Sequence, residues 1–438
     1  MTHKATIVFV LPAGLTLSGV TVWTMELCRR LTKQEYHVGI IHHKAVQPIL
    51  NIQPIDRVHY LFCNNQSSTS NFYTETDLSD FVTDYKKFVP AVIIPNGETA
   101  PYATCALLSR YSKNLRVIGI AHADEDKYYD WLDYYDPIIH KFIAVSDEIA
   151  LNLHKMLPHR KKDILVKPYA VGVNAVLDHH YSLNQKPLRL TFAGRLIEHQ
   201  KRVSDLIRLV ELLLLKKINF QLTIVGDGPD KEKVAAGIYA LGQEAKHRIN
   251  FMGNVPPAKM LSIWQASDIC ILVSEFEGTS ISMLEAMALG CVPVVTRVSG
   301  TQNVIQFGIN GFTVPVGDIV EMTRLIKLLE EDRSLLAKMG QNAHTTVLES
   351  YSYEQYVPWF LTLINEVWQQ PPRYWPEGRP LHRYSTLKEQ VIALSGEELS
   401  NLISSQKLIK ALGFKIATHP NLKWLYRFRS LGKKIVGD

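Results

Sequence analysis

Short runs of β-branched and other apolar residues alternate with amphipathic stretches along the first 180 residues. Continuous apolar runs are typical of strands that are buried on both faces, so this pattern predicts a parallel sheet covered by helices. A sheet of this kind binds ligands beyond the carboxyl ends of its strands. The predicted strands are 6–11, 37–41, 58–62, 92–95, 117–121 and 142–145.

The same alternation restarts after the polar stretch 178–186. It predicts strands at 188–193, 220–225, 250–252, 269–273, 292–295 and 312–314, with helices at 203–215, 230–242, 258–266, 280–289 and 319–330. We therefore predict an α/β protein with two doubly wound, Rossmann-like domains and a boundary near 178–187. The predicted segments are a first domain (1–180), a second domain (187–352), a closing helix (353–370) and, after a proline-rich break, a basic helical tail (371–438).

Composition narrows the function classes. Of the 438 residues, 46% are hydrophobic and 21% are charged, which excludes a disordered, collagen-like or disulfide-scaffold chain. The net charge of +6 is concentrated in the tail, since residues 401–438 carry eight basic residues and one acidic residue. A nucleic-acid-binding protein normally spreads a basic face over its folded body, so we expect no nucleic-acid partner.

Cysteine usage and apolar run lengths bear on the compartment. The five cysteines are scattered without metal-ligand spacing, as expected of a reduced, cytoplasmic chain. No apolar run reaches the roughly 20 residues of a membrane-spanning helix. The apolar stretch 5–11 lacks a small-x-small cleavage site, which favours a buried first strand over a signal peptide.

The strongest chemical signal follows the predicted strand 269–273. A short loop containing Glu277 leads into a helix that contains Glu285 and ends before Gly290, a natural position for a helix C-cap. The spacing lets both carboxylates reach one ligand above the sheet, and the backbone amides of 278–280 at the helix start form a natural anion site. Two alternatives stay open at this point: Ser282 and Glu285 also match a capping box, and Glu277 also fits a solvated loop acid.

Two further strand ends carry candidate chemistry. Gly194 and Arg195 end the strand 188–193, and Lys201 follows six residues after the arginine. A guanidinium fork and an ammonium group suit a diphosphate that gains charge as a bond breaks, although a solvated basic loop is the alternative. Gly226 and Gly228 follow the strand 220–225, but they lack the third glycine of a dinucleotide fingerprint, which favours a tight turn over an NAD site.

Together these motifs resemble the retaining GT-B glycosyltransferases, in particular the large family with a Glu–seven residues–Glu motif (group 1, or family 4, glycosyltransferases). Glu277 and Glu285 match that spacing, and Gly194-Arg195 with Lys201 matches the family's glycine, arginine and lysine signature. The match extends over roughly residues 5–370. It is strong over 188–318 and weaker in the first domain, where a variable acceptor would bind.

The resemblance implies specific roles in a cleft that holds a nucleotide diphosphate sugar. Arg195 and Lys201 would bind the diphosphate, Glu285 the ribose and Glu277 the hydroxyl groups of the donor sugar. Further donor contacts are implied for Gly19, whose loop would approach the donor closely, and for Gly194, Gly226, Gly278, Thr279 and Ser280. A catalytic position beside the sugar is implied for His122.

The resemblance further implies a metal-independent reaction without a cofactor. Cations already in place would stabilise the charge that accumulates on the leaving phosphate. Retaining hydrolases use a protein carboxylate as nucleophile, whereas this family favours attack from the front face. The nucleotide of the donor is expected to be UDP rather than GDP, because UDP is more frequent in this family. A nucleotide-sugar epimerase and a non-catalytic carbohydrate-binding scaffold are the alternatives.

Two sequence features fit this picture less directly. Asp124-Glu125-Asp126 resembles a metal-binding Asp-x-Asp motif, but it lies among further acids and aromatic residues, of which Tyr128 and Trp131 are candidate acceptor-binding residues. Asn303 stands where the family usually has a glutamate, which leaves the role of this position and the donor choice open.

The basic tail has two readings. Aromatic residues alternate with lysine and arginine around residues 423–429. The segment 401–438 therefore predicts either contact with an anionic membrane surface, suited to a lipid-linked acceptor, or a solvated tail that packs on another domain.

Overall fold

The computed structural model describes residues 5–43, 54–63 and 75–381. In its first half, seven parallel strands form one sheet in the order β3-β2-β1-β4-β5-β6-β7. The central strands are almost fully buried because helices cover both faces, which explains their continuous apolar sequence. The strands are β1 (Thr6–Leu11), β2 (Val38–His43), β3 (Val58–Cys63), β4 (Ala91–Ile94), β5 (Leu115–Ala121), β6 (Lys141–Ala144) and β7 (Ile164–Val166).

The helices of this half connect the parallel strands. The order of the strands reverses between β1 and β4, and such a switch point leaves a crevice beyond the carboxyl ends of the strands. The loops after β4 and β5 open at this edge. The helices are α1 (Gly19–Lys33), α2 (Glu75–Lys86), α3 (Thr99–Ser109), α4 (Asp126–Tyr134) and α5 (Asp147–Met156), with 3-10 turns at Asp136–Ile138 and Pro158–Asp163.

A second parallel sheet of six strands has the order β10-β9-β8-β11-β12-β13, with its switch point between β8 and β11. Its strands are β8 (Leu188–Ala193), β9 (Phe220–Val225), β10 (Ile249–Gly253), β11 (Ile269–Leu272), β12 (Val292–Thr296) and β13 (Phe312–Val314). Its helices are α6 (Glu198–Lys201), α7 (Val203–Leu215), α8 (Lys231–Ala240), α9 (Gln243–Arg248), α10 (Pro257–Gln265), α11 (Ile281–Ala288), α12 (Thr301–Val304), α13 (Ile319–Glu331) and α14 (Arg333–Ser350).

The last described helix, α15 (Tyr353–Gln369), returns to the first sheet. Its Phe360 ring stacks on Phe9 of β1 at 6.0 Å, and its Tyr356 ring meets Trp23 of α1 edge to face at 5.8 Å. We call the first sheet with its helices and α15 the first lobe, and residues 188–350 the second lobe. Both lobes belong to one compact unit, Met1–Arg379.

The predicted strands all have counterparts in the structure, whereas β7 and α14 were not predicted. The predicted boundary near 178–187 falls in a stretch without helix or strand, although the exact bounds of the predicted domains stay a prediction. Within the described ranges, no helix is both long and apolar enough to cross a membrane. The proline-rich break has no regular structure up to residue 381, and the predicted basic tail beyond it, including 401–438, lies outside the described residues.

Candidate functional site

Two predicted site residues from separate loops meet in a buried ion pair. Lys201 ends α6 and Glu277 lies in the loop between β11 and α11, and each is less than one tenth exposed. Lys201 Nζ lies 2.5 Å from Glu277 Oε1, and the Ser274 hydroxyl donates to the same oxygen at 2.7 Å. A buried ammonium and carboxylate are stable there because each neutralises the other and the hydroxyl adds a hydrogen bond.

The predicted glycine and arginine lie directly beside this pair. A Cβ atom on Gly194 would stand 3.3 Å from Lys201 Cε, so the lysine stem lies over this glycine. The next side chain, Arg195, is exposed and forms no ion pair or hydrogen bond with the part of the chain that the structure describes. The strand end after β8 therefore presents one paired and one unpaired cation, and the unpaired guanidinium is available to an anionic ligand.

The glycine-rich turn after β9 supports the same loop. Gly226 has a φ of +128°, and a Cβ atom there would stand 2.0 Å from the Gly194 carbonyl oxygen. A Cβ atom on Gly228 would stand 2.3 Å from the Leu196 carbonyl oxygen. These glycines allow the backbone of the turn to pack on the loop that carries Arg195, as a tight turn does. Direct contact of Gly226 with a ligand stays a prediction.

The start of α11 is fixed by contacts with both lobes. Ser280 is the N-cap residue and its hydroxyl accepts from the Met283 amide, which excludes the alternative of a capping box at Ser282 and Glu285. The Thr279 hydroxyl donates to the Val145 carbonyl of the first lobe. A Cβ atom on Gly278 would stand 2.2 Å from the His122 carbonyl oxygen. The predicted anion-binding turn therefore lies where the two lobes touch.

Glu285 lies inside α11 with its carboxyl group surrounded by protein. Burial raises the pKa of Glu285 from its ordinary value near 4.5 to about 7. The indole N–H of Trp264 opposes this rise because it favours the charged form of the carboxyl group. The group therefore titrates in the physiological range instead of being fully ionised there.

We expect Glu285→Gln to stabilise the protein at alkaline pH. Because the pKa of Glu285 is raised in the folded protein, its protonated form stabilises the fold. This stabilisation is fully present below pH 4.5 and is lost as pH rises through about 7. The variant should gain about 3 kcal/mol at pH 8 and less than about 1 kcal/mol at pH 5, measured by urea unfolding. The exposed helical Glu349→Gln is the matched control, and an equal effect of both substitutions at the two pH values would contradict this account.

His122 follows β5 and is buried with both ring nitrogens engaged. Nδ1 pairs with the Tyr169 hydroxyl, and Nε2 lies 3.1 Å from Asn96 Oδ1. Burial lowers the pKa of His122 to about 3, so the ring is neutral at physiological pH. Neither nitrogen is free for a ligand, although the backbone carbonyl contacts the turn at Gly278. A ligand contact through the imidazole, as predicted, would require it to exchange one of these hydrogen bonds.

Gly19 does not lie in a loop, contrary to the prediction. It is the first residue of α1, and the hydroxyl of Ser18 caps this helix by accepting from the Thr21 amide. A Cβ atom on Gly19 would stand 3.2 Å from Ile281 Cδ1 at the start of α11. This glycine thus provides room where the lobes approach each other, and its contact with a ligand stays a prediction.

Sequence reasoning missed most of the hydrogen bonds between the lobes. Ser146 Oγ lies 2.7 Å from Ser299 Oγ, and the Asp124 amide donates to the Glu277 carbonyl at 3.2 Å. Asn303 donates to the Asp147 carboxylate at 2.6 Å, which gives this residue a role in joining the lobes. These contacts were not predicted because they join loop residues without a periodic pattern; Asp124, Glu277 and Asn303 drew attention in the sequence for other reasons.

The predicted acceptor-binding aromatics lie on α4, next to the loop after β4. A Cβ atom on Gly97 would stand 3.3 Å from the Trp131 ring and 3.5 Å from the Tyr128 ring. Tyr128 also meets the His122 ring edge to face at 5.8 Å. In the neighbouring Asp-x-Asp motif, the Asp124 carboxylate accepts from the Tyr129 hydroxyl and, at 3.2 Å, from Asn152.

Comparison with known proteins gives a consistent result. The family model for glycosyl transferases group 1 matches residues 177–346. An uncharacterized glycosyltransferase of Methanocaldococcus jannaschii is 31% identical over 268 residues, which cover 56% of this chain and 67% of that protein. The N-acetyl-alpha-D-glucosaminyl L-malate synthase of Bacillus anthracis is 25% identical over 284 residues, covering 61% of this chain and 72% of the synthase.

A solved structure has the same fold. A point mutant of S. aureus TarM, determined in complex with fondaparinux, alpha-GlcNAc-glycerol and UDP, superposes with a TM-score of 0.68 at 14% identity. The superposition covers 83% of this chain and all of the TarM chain. The predicted α/β class with two doubly wound domains is therefore confirmed.

Proposed function

Because this chain belongs to the group 1 glycosyltransferases and has their GT-B fold, we propose that it moves a hexosyl-type sugar from a nucleotide diphosphate sugar to a carbohydrate or lipid-linked acceptor. The observation that carries the proposal is the buried Lys201–Glu277 pair beside the unpaired Arg195 at one strand end. Cell-envelope polysaccharide or glycolipid synthesis is the proposed setting, at the inner face of the membrane. The segment 401–438 would supply the membrane contact.

The proposed donor lies on the second lobe, with its diphosphate at Arg195 and Lys201. Glu277 turns from the lysine towards hydroxyl groups of the sugar, and Glu285 accepts hydrogen bonds from the ribose. The raised pKa of Glu285 supports this role, because a carboxyl group kept in a position that lowers stability is typical of a binding site. We favour UDP as the nucleotide of the donor, and the UDP complex of the similar TarM structure supports that choice.

The proposed reaction depends on fixed cations. As the anomeric C–O bond loosens, negative charge accumulates on the leaving nucleoside diphosphate, and the ammonium and guanidinium groups stabilise it without reorganising. The acceptor hydroxyl attacks from the same face and passes its proton to the departing phosphate, so the anomeric configuration is retained. Glu277 holds the sugar while Lys201 follows the charge to the phosphate. This exchange of partners explains why the two side chains are paired before the donor binds.

The test is a thermal-shift screen of the full chain with UDP, GDP and ADP, followed by their sugars. We expect UDP to raise the melting temperature and a UDP-sugar to be hydrolysed slowly without acceptor. Product formed from the sugar nucleotide alone, with the nucleotide still attached, would indicate an epimerase. If no nucleoside diphosphate raises the melting temperature and no donor is hydrolysed, the chain is a non-catalytic scaffold and the proposal is wrong.

A further inference from the structure

The loop after β4 contains three successive residues with positive φ angles. Asn96, Gly97 and Glu98 have φ values of 55°, 105° and 62°. Glu98 combines its φ with a ψ of 158°, a region that is almost restricted to glycine. A glutamate is therefore held in a strained backbone conformation that its side chain disfavours, and this backbone sets the direction in which the side chain leaves the main chain.

The Glu98 carboxylate has no partner in the described part of the chain. Glu98 is the N-cap residue of α3, yet its side chain makes no capping hydrogen bond. The nearby Lys127 is paired with Glu125 at 2.7 Å. Glu98 is exposed, yet neighbouring residues partly desolvate its carboxyl group and raise its pKa, and the charge of Lys127 opposes this rise.

Neighbouring residues connect the loop that carries Glu98 to the proposed donor site. The rings of Trp131 and Tyr128 lie against Gly97, and Asn96 contacts His122, whose carbonyl oxygen meets the turn beside Glu277. Asn96 is 7% exposed, and its side-chain N–H group has no hydrogen-bond partner among the described residues. A buried donor without a partner is a group that an incoming oxygen atom can satisfy.

We propose that Glu98 binds hydroxyl groups of the acceptor and that the acceptor presents an uncharged saccharide unit to this loop, an inference that rests on the proposed function. The carboxylate accepts hydrogen bonds from sugar hydroxyls and repels a carboxylate or phosphate. Local charge acts in the same direction, since residues 124–136 carry six acidic residues and one lysine. The Trp131 and Tyr128 rings offer apolar surface to the C–H face of a sugar.

The test compares two variants of Glu98 with matched acceptor probes. The probes are p-nitrophenyl glucoside and p-nitrophenyl glucuronide, which differ by one carboxylate, and the readout is nucleoside diphosphate release above acceptor-free hydrolysis. We expect the wild type to use the glucoside at least about tenfold more efficiently than the glucuronide. Glu98→Gln should lower kcat/KM for the glucoside about tenfold. It should also bring the kcat/KM values of the glucoside and the glucuronide closer together.

Glu98→Gly guards against a variant that merely fails to fold. Glycine relieves the backbone strain, so this variant should melt at a higher temperature than the wild type while losing glucoside transfer. Asp80→Asn removes the same charge from an exposed position on α2 of the first lobe and should change neither property. A preference of the wild type for the glucuronide, no stimulation by either glycoside, or unchanged transfer in both Glu98 variants would overturn the inference.

Acceptor-free donor hydrolysis separates this inference from the proposed function. Hydrolysis that persists in the wild type and in the Glu98 variants would leave the glycosyltransferase proposal standing even if the acceptor results overturn the role of Glu98. If the wild type itself does not hydrolyse the donor, the proposed function is wrong.

Discussion

Replacing Lys201 with alanine is expected to lower the turnover number of glycosyl transfer at least ~100-fold, the scale of a lost charge-stabilising contact. The ammonium group lies 2.5 Å from Glu277 in the free protein and would move to the leaving diphosphate as charge develops there. The same change should affect the apparent KM for the donor less than turnover, because the charge that it stabilises is largest in the transition state. Steady-state kinetics with the donor found in the thermal-shift screen measures both.

Loss of folding must be separated from loss of catalysis in this variant. Removing Lys201 leaves the carboxylate of Glu277 buried without its partner, which is expected to cost about 3–5 kcal/mol of stability. Arg195→Ala avoids this problem because the guanidinium is exposed and unpaired, and we expect a loss of turnover of the same order without a change in melting temperature. Lys231→Ala removes an exposed ion pair with Asp227 as the matched control. Wild-type turnover in a folded Arg195→Ala protein would contradict the assigned role.

The features that the sequence predicted correctly are those with a local pattern. The strands 188–193, 220–225 and 312–314 match the structure residue for residue, since buried parallel strands are continuous apolar runs between turns. Lys201 and Glu277 could be placed near each other because both follow strands that lie next to each other at the switch point of the second sheet. Helix α14 was missed because polar residues dilute its apolar stripe.

The features that could not be predicted depend on contacts between distant parts of the chain. Nothing in the residues around Gly278 indicates that the His122 carbonyl will lie against it, because the contact exists only once both lobes have folded and met. Glu98 was not singled out because glutamate is not a typical residue of left-handed backbone, and its conformation follows from the tertiary structure. The resemblance placed Gly19 in a loop, whereas this residue starts α1.

The site therefore has two components, of which only one could be predicted from the sequence. The charged residues that we propose to act on the donor lie in one lobe and follow recognisable strand ends. The residues that bring the other lobe against them are small or polar, and their contacts use hydroxyl groups and backbone carbonyls. Thr279 and Ser146 show this, since one hydroxyl bonds to a carbonyl of the opposite lobe and the other to a serine there. Their effect on catalysis should appear as misplacement of the acceptor and not as weaker donor binding.

Gly278→Ala tests this division and is expected to lower kcat/KM for transfer by about 100-fold. The added Cβ atom would stand 2.2 Å from the His122 carbonyl oxygen and 2.7 Å from the Val145 side chain, so the first lobe must move away from the turn beside Glu277. A displacement of about 1 Å between reacting groups is enough for a loss of this size. UDP affinity, which we propose to depend on the second lobe, should change less than about threefold by the same separation of roles.

Gly172→Ala is the matched control because a Cβ atom there meets nothing within 4 Å, and both glycines lie outside the positive-φ region. Each substitution restricts the unfolded chain to the same extent, so only the contact between the lobes distinguishes the two variants. Equal activity of the two variants would mean that the contact at Gly278 does not position the acceptor. A large loss of UDP affinity in Gly278→Ala would instead assign the turn to the donor and would remove the argument that the two lobes have separate roles.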